Sequence, residues 1–206
     1  MNAVAMERAT VPDPDPSTHC SLAWLQQGLA KLPRSPRDMG RVRLLCSRID
    51  DGTRWLPHEC RVDPEAGIAG DRWLRNRAAG QAKYGELYAD MQIATMEVGV
   101  AELIANGQPL WLFGDNLFLD LDLSTENLPP ESVLEAGQVQ LRVTSAPHDG
   151  CKKFNARFGA DALRFAADRT TRSRNLRGIY LRVTRAGSIA VGDEVRVVSR
   201  SVRVSA

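Results

Sequence analysis

The chain has 206 residues, 43% of them hydrophobic and 25% charged, and its formal net charge is +2 at pH 7. This composition is typical of a folded globular protein and not of a disordered one, and so small a net charge gives no reason to expect a nucleic-acid partner. The sequence shows neither an apolar run long enough to span a membrane nor a secretion signal. Four cysteines without a CxxC pair do not predict a disulfide framework. We therefore expect a cytoplasmic protein with reduced thiols and no membrane partner.

The first 36 residues divide into a tail and a helix. Residues 1–18 predict a disordered tail, because proline alternates with aspartate in its second half and such a stretch cannot form a helix interior or a central strand. Residues 19–36 predict a leading amphipathic helix. Ser17 or Thr18 can cap its start, its leucines recur at helical spacing, and Pro33 stops it.

Residues 37–206 predict a single β-rich domain. Apolar and polar residues alternate with a period of two, the signature of half-buried strands, at about residues 42–46, 117–123, 139–144, 179–184 and 194–198. Short strands separated by glycine–aspartate turns predict a mainly β protein built as a barrel or folded sheet. Two flanking helices are predicted, at Met96–Ala105 and at Asp161–Asp168, where acidic Asp161 suits a helix start.

The segment from Pro147 to Gly159 concentrates the reactive side chains. His148 lies three residues before Cys151, and three cationic residues follow the cysteine, at Lys152, Lys153 and Arg157. Neighbouring cations favour the thiolate form of cysteine, which is the nucleophile, the sulfur carrier and the soft-metal ligand. Histidine titrates near neutral pH, so His148 is a candidate general acid, a candidate ligand or only a turn residue. The pattern predicts a catalytic site at Cys151 and His148.

Four motifs follow one another along the chain. They are Gly67–Trp73, Gly114–Leu117, Cys151–Phe154 with Arg157–Gly159, and Arg177–Tyr180 with Gly187–Ile189 and Gly192–Asp193. In this order they resemble the MOSC domain, the C-terminal domain of molybdenum cofactor sulfurases, which also occurs as a stand-alone bacterial protein. The resemblance runs from about Gly40 to Val198. It implies a β-barrel like the small barrel domain of pyruvate kinase, in agreement with the strand pattern.

The resemblance also implies a function in binding the molybdenum cofactor or in handling sulfur. Cys151 matches the family's cysteine, so the resemblance implies that it either ligates molybdenum or carries a persulfide. The residues expected to bind the molybdopterin-type cofactor are Lys152, Arg157, Arg177, Asp71, Arg72 and Asn116. Some members of the family reduce N-hydroxylated compounds with the bound cofactor and outside electron donors. The implied activity is therefore that of a molybdenum-dependent oxidoreductase or of a sulfur-transfer protein.

Two departures from the family pattern narrow this expectation. The chain has no aminotransferase-like domain and no pyridoxal-phosphate lysine motif, so we do not expect it to extract sulfur from cysteine by itself. A cysteine desulfurase, a molybdoenzyme or an electron-transfer protein is the expected partner. Trp73 stands where many bacterial members have histidine, so no role is carried over to that position.

Alternatives of two other classes stay open. A non-enzymatic barrel that binds a small anion would depend on Arg157 and Arg177 and not on Cys151. An interaction module would use Cys151 to deliver sulfur to a partner enzyme. Several further residues are expected to be structural or solvent-facing, because aspartate after glycine is ordinary turn chemistry and runs of charge are usually solvated: Asp115, Asp193, Lys153, Arg172 and Arg174.

Overall fold

The computed structural model describes residues 7–201. Its strands are β1 (Glu7–Thr10), β2 (Met39–Leu45), β3 (Ser47–Arg48), β4 (Thr53–Leu56), β5 (Glu59–Asp63), β6 (Gly67–Ile68), β7 (Ile93–Glu97), β8 (Leu117–Asp120), β9 (Val133–Ala136), β10 (Val139–Val143), β11 (Ile179–Arg185), β12 (Gly187–Ala190) and β13 (Glu194–Ser199). Its α-helices are α1 (Leu22–Lys31), α2 (Arg72–Arg75), α3 (Arg77–Tyr84), α4 (Val98–Ala105) and α5 (Lys152–Ala166). Short 3-10 turns lie at Pro16–Thr18, Gly85–Asp90, Leu110–Phe113 and Arg172–Arg174.

Seven strands close into a barrel in the order β10-β11-β7-β8-β2-β13-β9, with β9 pairing back to β10. The pair β7–β8 is parallel and the other pairs around the barrel are antiparallel. Two small three-stranded sheets flank it, β1-β4-β3 and β12-β5-β6. The predicted β-barrel with a few flanking helices is confirmed.

The barrel interior is filled by the apolar positions that alternate along its strands. In β10, Val139, Leu141 and Val143 are buried while Gln140 and Arg142 are half-buried. A side-chain period of two sends successive residues to opposite faces of a sheet, so one face of each strand contributes to the core. The apolar alternation thus fixes which side of each strand faces inward.

A second apolar cluster joins helices α1, α4 and α5 to the outside of the barrel. The leading helix contributes Leu25 and Leu29, which are buried in this cluster. Its predicted cap was wrong: the side chain of Ser21, not of Ser17 or Thr18, accepts a hydrogen bond from the Trp24 amide. The helix is accordingly shorter than the predicted 19–36, because it begins only after Ser21 and ends ahead of Pro33.

Residues 7–18 are ordered, so the prediction of a disordered tail was wrong for this part. Strand β1 pairs antiparallel with β4, with Arg8 opposite Trp55, and the Asp15 side chain accepts from the Ser17 amide in the following 3-10 turn. The alternating prolines do exclude a strand, but β1 ends before the first of them. Residues 1–6 and 202–206 lie outside the described part of the chain.

Helix α5 begins nine residues before the predicted start, directly after Cys151. Phe154, Phe158 and Phe165 form a buried stripe that continues across a kink at Gly159, where φ is 90°. A positive φ suits glycine, so the sequence places the break there. The reactive cysteine therefore lies at a helix start rather than in an isolated turn.

The other helices also differ from prediction. Met96 belongs to β7, and α4 starts at Val98. Helices α2 and α3 were not predicted, since neither carries a long apolar stripe. No helix within residues 7–201 combines the length and the apolar character that crossing a membrane requires.

Candidate functional site

A cleft of about 450 Å³ lies where the barrel meets α2, α3 and α5. Six cationic side chains line it, and the exposed thiol of Cys151 lies among them. The lining cations are Arg48, Arg54, Arg72, Lys153, Arg157 and Arg177. The sequence places these residues in four separate segments, and the fold brings them to one cavity.

Cys151 differs from the other cysteines in its exposure. Cys46 and Cys60 are buried, and burial raises the pKa of each thiol to about 12. Cys151 occupies the position before the first residue of α5, and its carbonyl accepts from the Asn155 amide at 2.9 Å. Its side chain does not cap the helix. The thiol is therefore free to meet a ligand in the cleft.

Arg54 is a buried cation that has no carboxylate partner among the described residues. It is 2% exposed, and its Nη1 donates to the carbonyl oxygens of Asp50 and Thr53 at 2.8 and 3.1 Å. Its Nε is buried without a hydrogen-bond partner within residues 7–201. Burial lowers the pKa of Arg54, and the positive charge of Arg157 lowers it further. A buried positive charge is costly unless it is paired, so Arg54 suits an anion in the cleft.

Arg157 is the second cation of this kind. Its Nη1 donates to the Leu112 carbonyl, and no carboxylate of residues 7–201 pairs with it. Burial lowers the pKa of Arg157, whereas the negative charge of the Cys151 thiolate acts in the opposite direction. Arg157 and Cys151, both on the α5 segment, thus lie close enough to interact electrostatically in the cleft. This placement agrees with the prediction that Arg157 lies in the binding site.

Arg48 is held in the cleft by buried residues behind it. Asp71 accepts from the Arg48 amide at 2.7 Å and from its Nε and Nη2 at 2.9 and 2.8 Å. Asn116 donates to Asp71 at 2.8 Å and to the Cys46 carbonyl at 3.1 Å, and it accepts from the Ala94 amide. Burial opposes ionisation of Asp71, but Arg48 outweighs it and holds the pKa of this carboxyl below its usual value.

The prediction that Asp71 and Asn116 touch the cofactor is therefore corrected. Both are buried, neither lines the cleft, and their polar atoms are engaged by protein groups. They position Arg48, which the sequence did not single out. No spacing in the sequence connects Arg48 to Cys151, so only the fold reveals it.

A buried cluster at the floor of the cleft joins Asp115, Arg177 and His148. Arg177 Nη1 donates to Asp115 Oδ2 at 2.7 Å, and His148 Nε2 lies 3.3 Å from Asp115 Oδ1. Arg177 also lies over the Phe154 ring, 5.2 Å from its centroid. Asp115 is fully buried, so its structural role is a buried ion pair with Arg177 rather than the turn contact that the glycine–aspartate pattern suggested.

His148 is uncharged in this cluster. Burial lowers its pKa well below the usual value, and the positive charges of Arg177 and Arg48 lower it further. Its ring packs against Tyr180 with the centroids 4.3 Å apart. Burial raises the pKa of Tyr180 to about 12, so this side chain is a neutral phenol. His148 and Arg177 both line the cleft, as predicted, but Asp115 already pairs with the charge of Arg177.

The rim of the cleft carries two further cations that share one carboxylate. Asp51 accepts from Arg72 and from Lys153, the latter at 2.6 Å. Arg72 was predicted in the site, whereas Lys153 was expected to face solvent and instead lines the cleft. Lys152, which was predicted to bind the cofactor, is exposed and does not line it. Successive residues of a helix point in different directions, so only one of the two lysines at the start of α5 faces inward.

Part of the cleft lining consists of side chains with apolar or aromatic surface. Tyr84, Leu87 and Met91 belong to it, at the end of α3 and in the turn that follows. The cleft therefore combines cationic side chains, which suit an anion, with apolar surface, which suits a flat or apolar group. No motif in the sequence marks these three residues.

Comparison with known proteins identifies the family of this chain. The family model of the MOSC domain matches residues 87–196, more than half of the chain. Among solved structures, the YuaD protein from Bacillus subtilis is similar at 20% identity, with a TM-score of 0.57 over 77% of this chain and 95% of that one. YiiM from Escherichia coli is similar at 17% identity, with a TM-score of 0.51 over 80% of this chain and 73% of that one. A search of curated proteins finds no match.

The fold and the site define a β-barrel protein with a cysteine in a cationic cleft. The chain belongs to the MOSC domain family, which is associated with molybdenum cofactor binding or sulfur transfer. The matched residues contain Asp115, His148, Cys151, Arg157 and Arg177 of the cleft and its floor. Arg48, Arg54 and Arg72 lie before the matched region. The structure places all three in the cleft, where the sequence led us to expect only Arg72.

Proposed function

We propose that the cleft binds a phosphate-bearing molybdopterin-type cofactor and that the Cys151 thiolate is the protein's ligand to its molybdenum. One observation carries this proposal: Arg54 and Arg157, two cations without a carboxylate partner in the described chain, line the same cleft as the exposed thiol. A cleft with unpaired guanidinium groups favours a ligand with negative charge. An exposed thiol beside them favours a soft metal in the same ligand.

The donor set fits such a cofactor. Guanidinium groups bind phosphate oxygens through a planar fork of donors, and the buried Nε of Arg54 has no partner among residues 7–201. Arg54 and Arg157 would hold the phosphate, with Arg48 kept in place by Asp71. When bound, the cofactor would supply the redox centre of the reaction.

The chain's own side chains would then orient a substrate. Tyr84, Leu87 and Met91 would contact the apolar part of a substrate in the cleft. Tyr180 is a neutral phenol that can donate a hydrogen bond, and one ring nitrogen of the neutral His148 can accept one. Reduction of an N-hydroxylated compound consumes protons and releases water; Tyr180 and His148 would position the substrate by hydrogen bonds, and the protons would come from solvent. We propose this substrate class, with an electron-transfer protein as the partner.

The decisive experiment compares protein purified from cells that make the cofactor with protein from cells that do not. We expect molybdenum by elemental mass spectrometry and pterin by fluorescence, near one per chain, in the first preparation only. The variant Arg54→Met should lose both, and Cys151→Ser should lose molybdenum. Absence of both in the wild-type protein, together with phosphate binding that Cys151→Ser leaves unchanged, would identify an anion-binding barrel instead.

A second function, sulfur transfer, is favoured by the exposure of Cys151 at the surface. A persulfide carrier must present its sulfur to a donor and an acceptor, here a cysteine desulfurase and a molybdoenzyme. This function predicts cyanide-labile sulfur on the wild-type protein that disappears in Cys151→Ala. Labile sulfur that persists in the variant would reject it.

A further inference from the structure

A second cavity lies beside the cleft, and we call it the arginine pocket. Its volume is about 250 Å³. At ~30 Å³ per water it has room for roughly eight waters, and therefore for a small organic molecule. The residues that line it come from α2, α3, the turn that follows α3, and two parts of the barrel and its flanking sheet: Pro64, Trp73, Arg77, Gln81, Tyr88, Ala89, Gln92 and Arg182.

The arginine pocket and the cleft are neighbours that share no lining residue. Pairs of consecutive residues are divided between them, the first of each pair lining the cleft and the second the arginine pocket: Arg72 and Trp73, Leu87 and Tyr88, Met91 and Gln92. On β11, Tyr180 lines the cleft and Arg182 lines the arginine pocket, because residues two apart in a strand lie on the same face. Residues 72–92 therefore form a wall between two separate cavities.

The lining of the arginine pocket is positively charged. It contains Arg77 and Arg182 and, among residues 7–201, no carboxylate. Arg77 has no carboxylate partner in that part of the chain, and its Nη2 donates to the Glu65 carbonyl at 2.8 Å. Arg182 lies 3.4 Å from Asp90 Oδ1, but the same oxygen is also 3.6 Å from Arg142. The pocket thus has one cation without a carboxylate partner and a second that shares its partner, which suits a monoanion.

Arg77 is held in place by the protein itself. Its guanidinium lies over the Trp73 ring, 5.5 Å from the centroid, in addition to its contact with the Glu65 carbonyl. Trp73 in turn stacks on Tyr88, with the ring centroids 5.4 Å apart, and its Nε1 donates to the Tyr88 carbonyl while the Tyr88 hydroxyl donates to the Trp73 carbonyl. A side chain that is already ordered loses less conformational freedom when a ligand binds, so Arg77 is a suitable anchor for an anion.

Much of the remaining lining has apolar or aromatic surface: Pro64, Trp73, Tyr88 and Ala89. The buried Gln92 also lines the pocket, but its amide group is engaged by the protein. It donates to the Pro64 carbonyl and accepts from the Val183 amide, both at 2.9 Å. Recognition of a charged head group therefore depends on the two arginines, and the other residues suit an apolar body.

We propose that the arginine pocket binds a small organic monoanion, with a carboxylate head between Arg77 and Arg182 and a flat apolar body against Trp73 and Tyr88. The planar fork of arginine donors matches the geometry of a carboxylate. A carboxylate also has the single charge that the pocket calls for, whereas a phosphate monoester has nearly two. The site is distinct from the cofactor cleft and does not depend on the proposed cofactor or on Cys151.

Benzoate is a suitable probe, with benzamide as the counterpart that lacks the charge and acetate as the one that lacks the ring. Titration of the full chain, followed by amide and indole chemical shifts, should show saturable benzoate shifts at the Trp73 indole and at Ala89. Benzamide and acetate should each bind there at least about tenfold more weakly. Benzoate shifts confined to Gly114 and Cys151, which line only the cleft, would overturn the proposal, as would binding of either counterpart as tight as that of benzoate.

Matched variants test the site itself. Arg77→Met should weaken benzoate binding at least about tenfold. Arg75→Met is the control, because Arg75 is exposed, donates to the Ile49 carbonyl and lines neither cavity. Gln81→Trp, at an exposed position of α3, should fill the pocket and provides a second variant if the first does not fold. Equal effects of the two arginine substitutions, or unchanged binding in folded Gln81→Trp, would contradict the site. Arg157→Met should leave the Trp73 shift unchanged, and its loss of cofactor binding concerns only the proposed function.

Discussion

Arg48 and Asp71 form a buried ion pair in which one carboxylate accepts three hydrogen bonds from one arginine, from its amide at 2.7 Å and from its guanidinium at 2.8 and 2.9 Å. Asp71 also caps α2 by accepting from the Trp73 amide at 2.8 Å. The pair thereby connects β3, which carries Arg48 to the cleft, with the helix that carries Arg72. The geometry of the cationic cleft depends on this contact.

Asp71→Asn should therefore be strongly destabilising. Removing one partner of a buried pair leaves the other charge uncompensated, at a cost of about 3 to 5 kcal/mol. Asp51→Asn is the matched control, because Asp51 is exposed and its pairs with Arg72 and Lys153 lie at the rim; exposed pairs contribute about 0 to 1 kcal/mol. Urea denaturation of both variants measures the difference, and equal losses would contradict the structural role of Asp71.

Glycine at residue 178 should be required for a reason that does not apply to Gly192. Both have positive φ, 98° and 94°, but a Cβ at Gly178 would lie 2.0 Å from the Thr95 carbonyl, whereas nothing lies within 4 Å at Gly192. Gly192→Ala should cost about 1 to 2 kcal/mol from backbone strain alone. Gly178→Ala should cost about 1 to 3 kcal/mol more because β7 must also shift. Thermal unfolding of the two variants tests this order.

His148 should make the protein less stable as the pH falls. Four groups face its ring: Asp115, Arg177, Arg48 and Tyr180. Burial lowers its pKa in the folded state, while the unfolded chain takes up this proton near pH ~6.5. Below that pH the unfolded state binds more protons, so the unfolding free energy decreases, at most by about 1.4 kcal/mol per pH unit from this residue. In His148→Gln the decrease between pH 7.5 and 5.5 should be smaller, and an identical pH profile would contradict the neutral histidine.

Arg157 should bind anions, whereas Arg164 on the same helix should not. Arg157 lines the cleft without a carboxylate partner in the described chain, and Arg164 is exposed beside Asp161. Loss of a charge-assisted hydrogen bond costs about 1.5 to 3 kcal/mol. Arg157→Met should therefore weaken pyrophosphate binding at least about tenfold by calorimetry, and Arg164→Met should not change it. Equal effects of the two substitutions would show that only general charge matters.

The sequence predicted the strands and helices whose apolar residues recur at a regular local spacing. Alternation along residues 139–143 fixed a barrel strand, and the leucines near residue 25 fixed α1. The start of α5 was missed because Gly159 interrupts the pattern, yet Phe154 and Phe158 already carry the helical stripe before it. Gly159 itself is non-helical, so the residues after it, where the sequence predicted a helix, form a helical segment separated by a kink from the segment that starts at Lys152.

The sequence anticipated the cleft residues near Cys151 better than those farther from it. His148, Arg157 and Arg177 lie close to recognisable motifs, and the fold places all three in the cleft. Arg48 and Arg54 lie about a hundred residues from Cys151 in the sequence. The pairing of β3 with β4 places the two arginines opposite each other, and the fold then brings both into the cleft that holds Cys151. Asp71 and Asn116 belong to motifs, but both are buried and do not line the cleft. They hold Arg48 in position by hydrogen bonds instead.

The most direct test of the cofactor proposal is the reactivity of Cys151. Iodoacetamide labelling, quantified by peptide mass spectrometry, compares protein purified from cofactor-producing cells with protein from cofactor-deficient cells, and Cys20 in its half-buried position provides an internal reference. If the thiolate binds the cofactor's metal, Cys151 is protected in the first preparation and labelled in the second, with Cys20 unchanged. Equal labelling of Cys151 in the two preparations would contradict the proposal.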